Sequence, residues 1–419
     1  MTLQCISIAG YKAYPQSVEI NLKPVTLLYG ENSTGKSSLM RILPLIQETL
    51  KNPSSVPLTL SENLTKSANL ADLFSKFRDD GVIELKLSFE KAEGARTEAE
   101  YKLKSLERGG VVLLEFSLRA PEKSLHVELD LTILDTGVLR YVDYTTKSEI
   151  AGLVFDGIIP CVNESGTALS ITVDHIASLL SEIRCYWLAP LRKGIPRISR
   201  VRKNMADVGA FGEGCVDVLY EDFRLNGPVF QDVSKWFVDN CSASLQVVQG
   251  AHEFGELAGL ALVRQGATPV RIPLEDCGEG ITQVLPVLVL VALAKYGRLG
   301  NNPVIVLEHP DLHLHSNAHY DIIRAISQAA SSKYKPRFLL ESHAESVLVA
   351  TQLHIANGEI SAKNVSAIHV SETDSGSSAV ELVEFDSDGS PKGDLAALDW
   401  FERTNVRAMK LAKNMVGLP

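Results

Sequence analysis

The stretch VTLLYGENSTGKSSLMRIL, residues 25–43, decides how the rest of the chain is read. Val25, Thr26, Leu27, Leu28 and Tyr29 form an apolar, β-favouring run. Gly30-Glu31-Asn32-Ser33-Thr34-Gly35-Lys36-Ser37 then fits the G-x-x-x-x-G-K-[ST] pattern in the strand-to-helix context that this pattern requires. The glycines admit positive φ and close backbone approach, so successive N–H groups turn inward around a polyphosphate. Lys36 adds a positive charge and Ser37 a hydroxyl for Mg2+, and the helix that follows faces its positive end to the phosphates. Gly30, Asn32, Ser33, Thr34, Gly35, Lys36, Ser37 and Ser38 are therefore the candidate nucleotide-binding residues. Pro44 is expected to kink or end the helix.

A chain of 419 residues with 45% hydrophobic residues buries a large core, and two subdomains are expected. The net charge of −10 argues against a surface that binds nucleic acid everywhere, so any such patch must be local. Cys5, Cys161, Cys185, Cys215, Cys241 and Cys277 are scattered, with no C-x-x-C pair, and read as reduced thiols of a cytoplasmic protein. The start, MTLQCISIAGYK, has no basic segment followed by a long apolar core, and no secretory leader is expected. The apolar run over residues 284–294 contains Pro286 and is too short to span a bilayer, so no membrane partner is expected.

Residues 3–8 and 18–22 alternate as half-buried strands, and residues 82–144 repeat that two-fold pattern as an antiparallel meander. Residues 52–66 read as a surface loop and 70–74 as a short helix. No heptad run long enough for a coiled-coil arm lies between the phosphate loop and residue 275. Residues 184–203, RCYWLAPLRKGIPRISRVRK, hold Arg184, Arg192, Lys193, Arg197, Arg200, Arg202 and Lys203 and no acid. Two readings stand side by side: a site for phosphates or a nucleic-acid backbone, giving a non-specific DNA contact through residues 192–203, and a loop paired with the protein's own acids. Residues 207–236 read as mostly helical, and 245–248 and 260–272 as strands.

A glycine-rich turn at Gly278 and Gly280 opens the apolar helix that follows. The strand Pro303-Val304-Ile305-Val306-Leu307 ends in Glu308, where a phosphate-loop protein holds Mg2+. A third apolar strand, Phe338-Leu339-Leu340, ends in Glu341-Ser342-His343, so polar groups converge at one sheet edge.

The order of these motifs resembles the ATPase heads of the ABC superfamily, in the SMC-like and RecF-like branch that includes OLD-type nucleases and the ATPase subunits of prokaryotic defence systems such as Septu. The carriers are YGENSTGKSS for the phosphate loop, DCGEGITQVLP for the signature loop, VIVLEHPDLHLHS for the Walker B strand and D-loop, and LLESHAES for the switch histidine, His343. The resemblance implies ATP and Mg2+ as cofactors and a homodimer whose heads sandwich ATP. Gly278, Gly280 and Thr282 of one head would touch the nucleotide of the other, so that Gly280→Arg would block only this contact in trans. It also implies an effector protein encoded nearby as partner. The segment YWLAPLRKGIPR is similar to a stretch of the defence-type ATPases, and the sequence assigns it no role.

Such heads carry an aspartate for Mg2+, then a water-polarising glutamate, then proline; here Glu308, His309 and Pro310 align. With Glu308, His309 and His343 as the catalytic candidates and Ser37 and Glu308 as the metal ligands, turnover is expected to be slow, because a histidine with a pKa of about 6.5 lacks a fixed negative charge. An alternative for His309, His313, His315 and His319 is zinc binding, with His315 and His319 one helical turn apart. An OLD-like nuclease or a DNA-repair type ATPase is the competing function, but for the nuclease about 75 residues after His343 are too few for a TOPRIM domain, and Asp386 and Asp388 read as a hairpin turn. A transporter ATPase ranks last, since it would place the signature loop closer to the phosphate loop than the roughly 240 residues here. The expected fold is an α/β P-loop NTPase of ABC type, with a mixed-sheet core, an inserted antiparallel β subdomain and a helical subdomain. Its parts are residues 1–80 with the phosphate loop, 81–147 as the β subdomain, 148–274 as a helical and basic insert with strands, 275–380 with the signature, Walker B and switch-histidine motifs, and 381–419 as a C-terminal hairpin and helix.

Overall fold

The computed structural model describes residues 1–392 except 66–68, 92, 107–109, 133–138, 164, 206, 253–254 and 265–268. The chain forms two compact units. One comprises Met1–Leu22, Gly30–Cys185 and Val370–Val380; the other comprises Lys23–Tyr29, Tyr186–His369 and the segment from Glu381.

The first unit is built on the two-fold pattern. Its sheet runs in the order Val18–Asn21, Thr2–Ala9, Val82–Glu90, Arg96–Ser105, Val111–Ala120, Lys123–Leu129 and Tyr141–Asp143, antiparallel throughout. Ile83, Leu85, Leu87 and Phe89 fill the buried face. On the other face Lys86 stands opposite Glu100 and bridges to Glu98 and Glu100 at 3.0 and 3.2 Å, a cross-strand charge pairing that fixes register more than it stabilises. The helix Ala168–Ser181 is started by Thr167, whose hydroxyl accepts from the Ser170 N–H at 3.1 Å.

The phosphate-loop helix is interrupted as its proline demands, but earlier than the proline itself. Lys36–Met40 and Ile42–Lys51 are separate helices with Arg41 between them. Pro44 has no N–H to give the Met40 carbonyl, so the ladder breaks there, and the ring then sits harmlessly in the first turn of the second helix.

The second unit carries the α/β core. Its sheet runs in the order Cys185–Leu188, Val304–Glu308, Arg337–Glu341, Val25–Gly30, Val365–Glu372, Ser378–Phe385 and Pro391–Lys392. The second and third strands are parallel, as are the third and fourth, with Glu308 in register with Glu341 and Glu341 with Leu28. All residues of Val304–Glu308 and Val25–Gly30 are buried, which explains continuous apolar runs in place of alternation. The helix Glu279–Lys295 buries every residue from Val284 to Ala294, Pro286 included. Among the described residues no helix is long and apolar enough to cross a membrane.

A smaller antiparallel sheet joins Ser199–Arg200, Gly255–Arg264, Ala243–His252 and Val270–Pro273. The helical reading of residues 207–236 resolves into Cys215–Arg224 and Pro228–Cys241, the glycine-rich start staying outside both. Asp386 and Asp388 lie in a hairpin turn, where Asp388 accepts from the Ser390 N–H at 2.9 Å. The amphipathic helix expected over residues 395–415 lies outside the described residues.

Leu285 is fully buried in the helix that the core surrounds. Leu285→Ala should lower unfolding stability by about 2–5 kcal/mol in urea denaturation, the cost of lost burial plus the cavity left behind.

Candidate functional site

The phosphate loop leaves the core sheet at the end of Val25–Gly30 and is shaped by three left-handed residues: Gly30 at φ 138°, Ser33 at φ 65° and Gly35 at φ 94°. Two of them tolerate no side chain. A Cβ on Gly30 would lie 2.1 Å from the Val370 carbonyl oxygen, and one on Gly35 would lie 2.9 Å from Ser378 Oγ and 3.0 Å from the Tyr14 hydroxyl. The Ser378 hydroxyl donates to the Thr34 carbonyl at 2.7 Å, and the Thr34 hydroxyl donates to the Glu31 carbonyl at 3.0 Å. Thr34 thus braces the loop from within. Lys36 is buried, and its Nζ donates to the Gly30 carbonyl at 3.1 Å and to the Glu31 carbonyl. Its ammonium is held inside the curl of the loop, where a polyphosphate would need it.

Glu308 ends the strand Val304–Glu308 with its carboxylate buried, and its Oε1 accepts from Trp187 Nε1 at 2.7 Å. Arg192, only 5% exposed, spans the end of the same strand: Nη2 donates to the Glu308 carbonyl at 2.5 Å and Nη1 to the His309 carbonyl at 2.9 Å. Burial pushes the Arg192 guanidinium down to about 10, opposed by the charges of Asp311 and Glu308, so it stays cationic at neutral pH. Gln283, in the helix after the signature glycines, holds the Arg192 backbone at both polar groups, accepting from its N–H and donating to its carbonyl, each at 3.1 Å. The sequence reading assigned Trp187 and Gln283 no role, and Arg192, read as a candidate nucleic-acid contact, is turned inward onto the strand end. The visible signal was YWLAPLRKGIPR itself, an aromatic strand running into a basic turn.

His309 adopts a left-handed backbone at φ 47°. Its N–H donates to the Glu341 carbonyl at 2.9 Å, and its ring stacks on His343 with centroids 4.9 Å apart. The histidine cluster proposed for zinc is dispersed. His313 faces Glu279 at 3.5 Å, His315 Nδ1 accepts the Asn317 N–H at 3.3 Å outside the helix rather than one turn from His319 within it, and His319 bonds Ser346 Oγ at 2.7 Å. Among the described residues, the group whose donor atoms lie within reach of one ion is instead His309, Glu341 and His343.

The signature glycines divide. Gly278 caps the helix with open space around its missing side chain, whereas a Cβ on Gly280 would lie 2.5 Å from the His313 carbonyl oxygen of the same chain. The Thr282 hydroxyl is taken by the Glu279 carbonyl at 2.9 Å. The idea that Gly280→Arg blocks only a contact in trans is therefore corrected: the D-loop carbonyl packs against Gly280 in cis. Part of the basic segment is committed within the chain. Arg197 pairs with Glu275 at 2.9 Å and Asp276 at 2.6 Å, and Arg202 holds Asp217 at 2.9 Å and the Glu213 carbonyl at 2.7 Å. With Arg192 buried, the exposed cations of the segment are Arg184, Lys193, Arg197, Arg200, Arg202 and Lys203, two of them already in these pairs.

These contacts reverse the usual sign of a helix substitution. Alanine in place of an interior helical glycine normally stabilises by about 1 kcal/mol, yet Gly280→Ala should lower the melting temperature because the His313 carbonyl must move. Gly278→Ser, at an N-cap position that favours serine, should leave it unchanged or slightly raised. Thermal unfolding of the two variants beside wild type checks this, and a stabilised Gly280→Ala would refute the packing.

Residues 1–124 match a family model described as an AAA ATPase domain. No curated protein matches the chain in sequence. Among solved structures, an SMC head bound to the C-terminal winged-helix domain of ScpA is similar at a TM-score of 0.53, with 13% identity over 92% of this chain and 98% of that one. An SMC head with an extended coiled coil bound to the C-terminal domain of ScpA, from Pyrococcus furiosus, gives 0.49, with 12% identity over 96% and 99%. The recombination mediator RecF gives 0.40, with 10% identity over 88% and 96%. At such identities the likeness is one of fold, and the first match carries it. The fold of the chain is similar to that of an SMC head, and its residues 1–124 match an AAA ATPase domain.

Proposed function

We propose that the protein is a slow ATPase that binds ATP with Mg2+, dimerises head to head around the nucleotide, and in that state regulates a partner effector in the cytoplasm, in antiviral defence. The observation that carries the nucleotide reading is the braced phosphate loop, with Lys36 held on the Gly30 and Glu31 carbonyls inside it. The N–H groups of residues 30–38 and the Lys36 ammonium then bind the phosphates. The Ser37 hydroxyl and the buried Glu308 carboxylate are each hard oxygen donors of the kind that suits Mg2+, and each is a candidate ligand. The ion supplies neutralisation of phosphate charge. Gly278, with nothing near its Cβ position, is the signature residue free to approach a second head; Gly280 and Thr282 shape the turn that presents it.

His309 occupies the position where the family pattern has a water-polarising glutamate, and a neutral imidazole polarises water less than a carboxylate. ATP would then keep two heads together for long periods instead of being consumed quickly. A swing from mostly open to mostly closed needs roughly 5.5 kcal/mol of differential affinity, which two enclosed nucleotides can supply. The SMC heads of similar fold are bound to ScpA domains, which supports a protein partner for this head. A contact with a nucleic-acid backbone would fall mainly to Lys193, Arg200 and Lys203, since Arg197 and Arg202 are paired within the chain and Arg192 is buried.

Lys36→Ala should weaken ATP binding at least tenfold in calorimetry, because a charge-assisted contact to phosphate is worth roughly 1.5–3 kcal/mol; unchanged affinity would refute the site. His309→Asn, which accepts a left-handed backbone, should retain ATP binding and sediment as a dimer with ATP and Mg2+ at least as persistently as wild type. Fast hydrolysis by the wild-type protein alone would overturn the slow-switch reading.

A further inference from the structure

We propose that His309, Glu341 and His343 form a two-histidine, one-carboxylate site for a first-row transition dication, distinct in its ligands from the oxygen donors Ser37 and Glu308 proposed for Mg2+. The site goes beyond the proposed function and does not depend on it.

The three donor groups come from adjoining strand ends. Glu341 closes the strand Arg337–Glu341, His343 follows it by two residues, and His309 follows the neighbouring parallel strand Val304–Glu308. One ligand atom from each lies within 4.8 Å of the other two. Bonds of about 2.0–2.1 Å at a tetrahedral angle put ligand atoms about 3.4 Å apart, so the three donors must draw in by no more than about 1.4 Å to close on an ion. The supports differ in stiffness in a useful way. The Glu341 carboxylate is buried at 1% exposure, and the His309 backbone is fixed at both ends, its N–H on the Glu341 carbonyl and its carbonyl on Arg192. His343 is exposed and able to complete the set.

The chemistry of the donors selects the ion. Mg2+ prefers all-oxygen coordination and sheds water reluctantly, whereas two imidazole nitrogens with one carboxylate suit Zn2+, Co2+ or Fe2+ and leave coordination positions open for water or a ligand oxygen. The backbone of His309 points the same way. A non-glycine residue in the left-handed region is uncommon and collects at functional positions, and this conformation is the one that lays its ring against His343.

The test uses the full chain, with Zn2+ in calorimetry and Co2+ as a spectroscopic probe, both in excess Mg2+. One equivalent of Zn2+ should bind saturably, and Co2+ should show absorption bands shifted by nitrogen ligation. Zn2+ affinity should fall at least tenfold in each of His309→Asn, His343→Ala and Glu341→Gln. His309→Asn keeps the left-handed backbone, His343→Ala changes an exposed side chain, and Glu341→Gln keeps the shape, so circular dichroism should match wild type. The double variant His313→Ala/His315→Ala, which removes two exposed histidines outside the site, should bind Zn2+ as wild type does. Lys36→Ala should also bind Zn2+ normally even where it has lost ATP, which separates this site from the nucleotide reading. Absence of saturable Zn2+ binding, its persistence in the His309 and His343 variants, or its loss in the His313/His315 variant would overturn the site.

Discussion

A single buried guanidinium ties down the backbone at the Glu308 end of the core sheet. Arg192 donates to the carbonyls of Glu308 and His309, two successive backbone groups where the chain leaves the sheet. Leaving such carbonyls unsatisfied in the interior costs about 1–3 kcal/mol each, so the arginine tolerates its own desolvation, visible in its lowered pKa, in exchange for two charge-assisted bonds. Gln283 then fixes the Arg192 backbone to the helix that follows the signature glycines. The Walker B end, the aromatic–basic turn and the signature helix are therefore one mechanical piece, and a shift of that helix would be felt at Glu308 and His309.

Positive-φ backbone shapes both of the loops where the chemistry is expected. In the first unit the phosphate loop places Gly30, Ser33 and Gly35 in left-handed or neighbouring positive-φ conformations; in the second, His309 and His313 do the same after the Walker B strand. The two loops meet the demand differently. The phosphate loop uses glycine, because the Val370 carbonyl and the Ser378 and Tyr14 hydroxyls occupy the space of a side chain. The loop after Glu308 uses histidine, whose ring rests on His343 beside the Glu341 carboxylate. Conformations of this kind cost of order 1–3 kcal/mol and persist where surrounding contacts over-determine them, as the bonds to Glu341 and Arg192 do here.

Local chemistry made much of the fold legible. The phosphate loop could be read because glycine, lysine and serine at fixed spacing do one thing well. The meander over residues 82–144 could be read because alternation reports a sheet with one wet face, and the core strands because buried parallel strands are apolar without interruption. Those signals lie within a few residues of one another, so the sequence by itself determined the phosphate loop, the strand ends at Glu308 and Glu341, and the fold class. What only the tertiary structure decided lies across long separations. Arg192 reaches Glu308 over 116 residues and Arg197 reaches Glu275 over 78, so part of a cationic segment that sequence leaves divided between ligand binding and self-pairing is held within the chain. The same holds for the histidines: spacing grouped His315 with His319, whereas the parallel register of two strands grouped His309 with Glu341 and His343. Spacing along a chain reports which side chains share a helix turn; only the pairing of strands distant in sequence fixes which of them share an ion or a carbonyl.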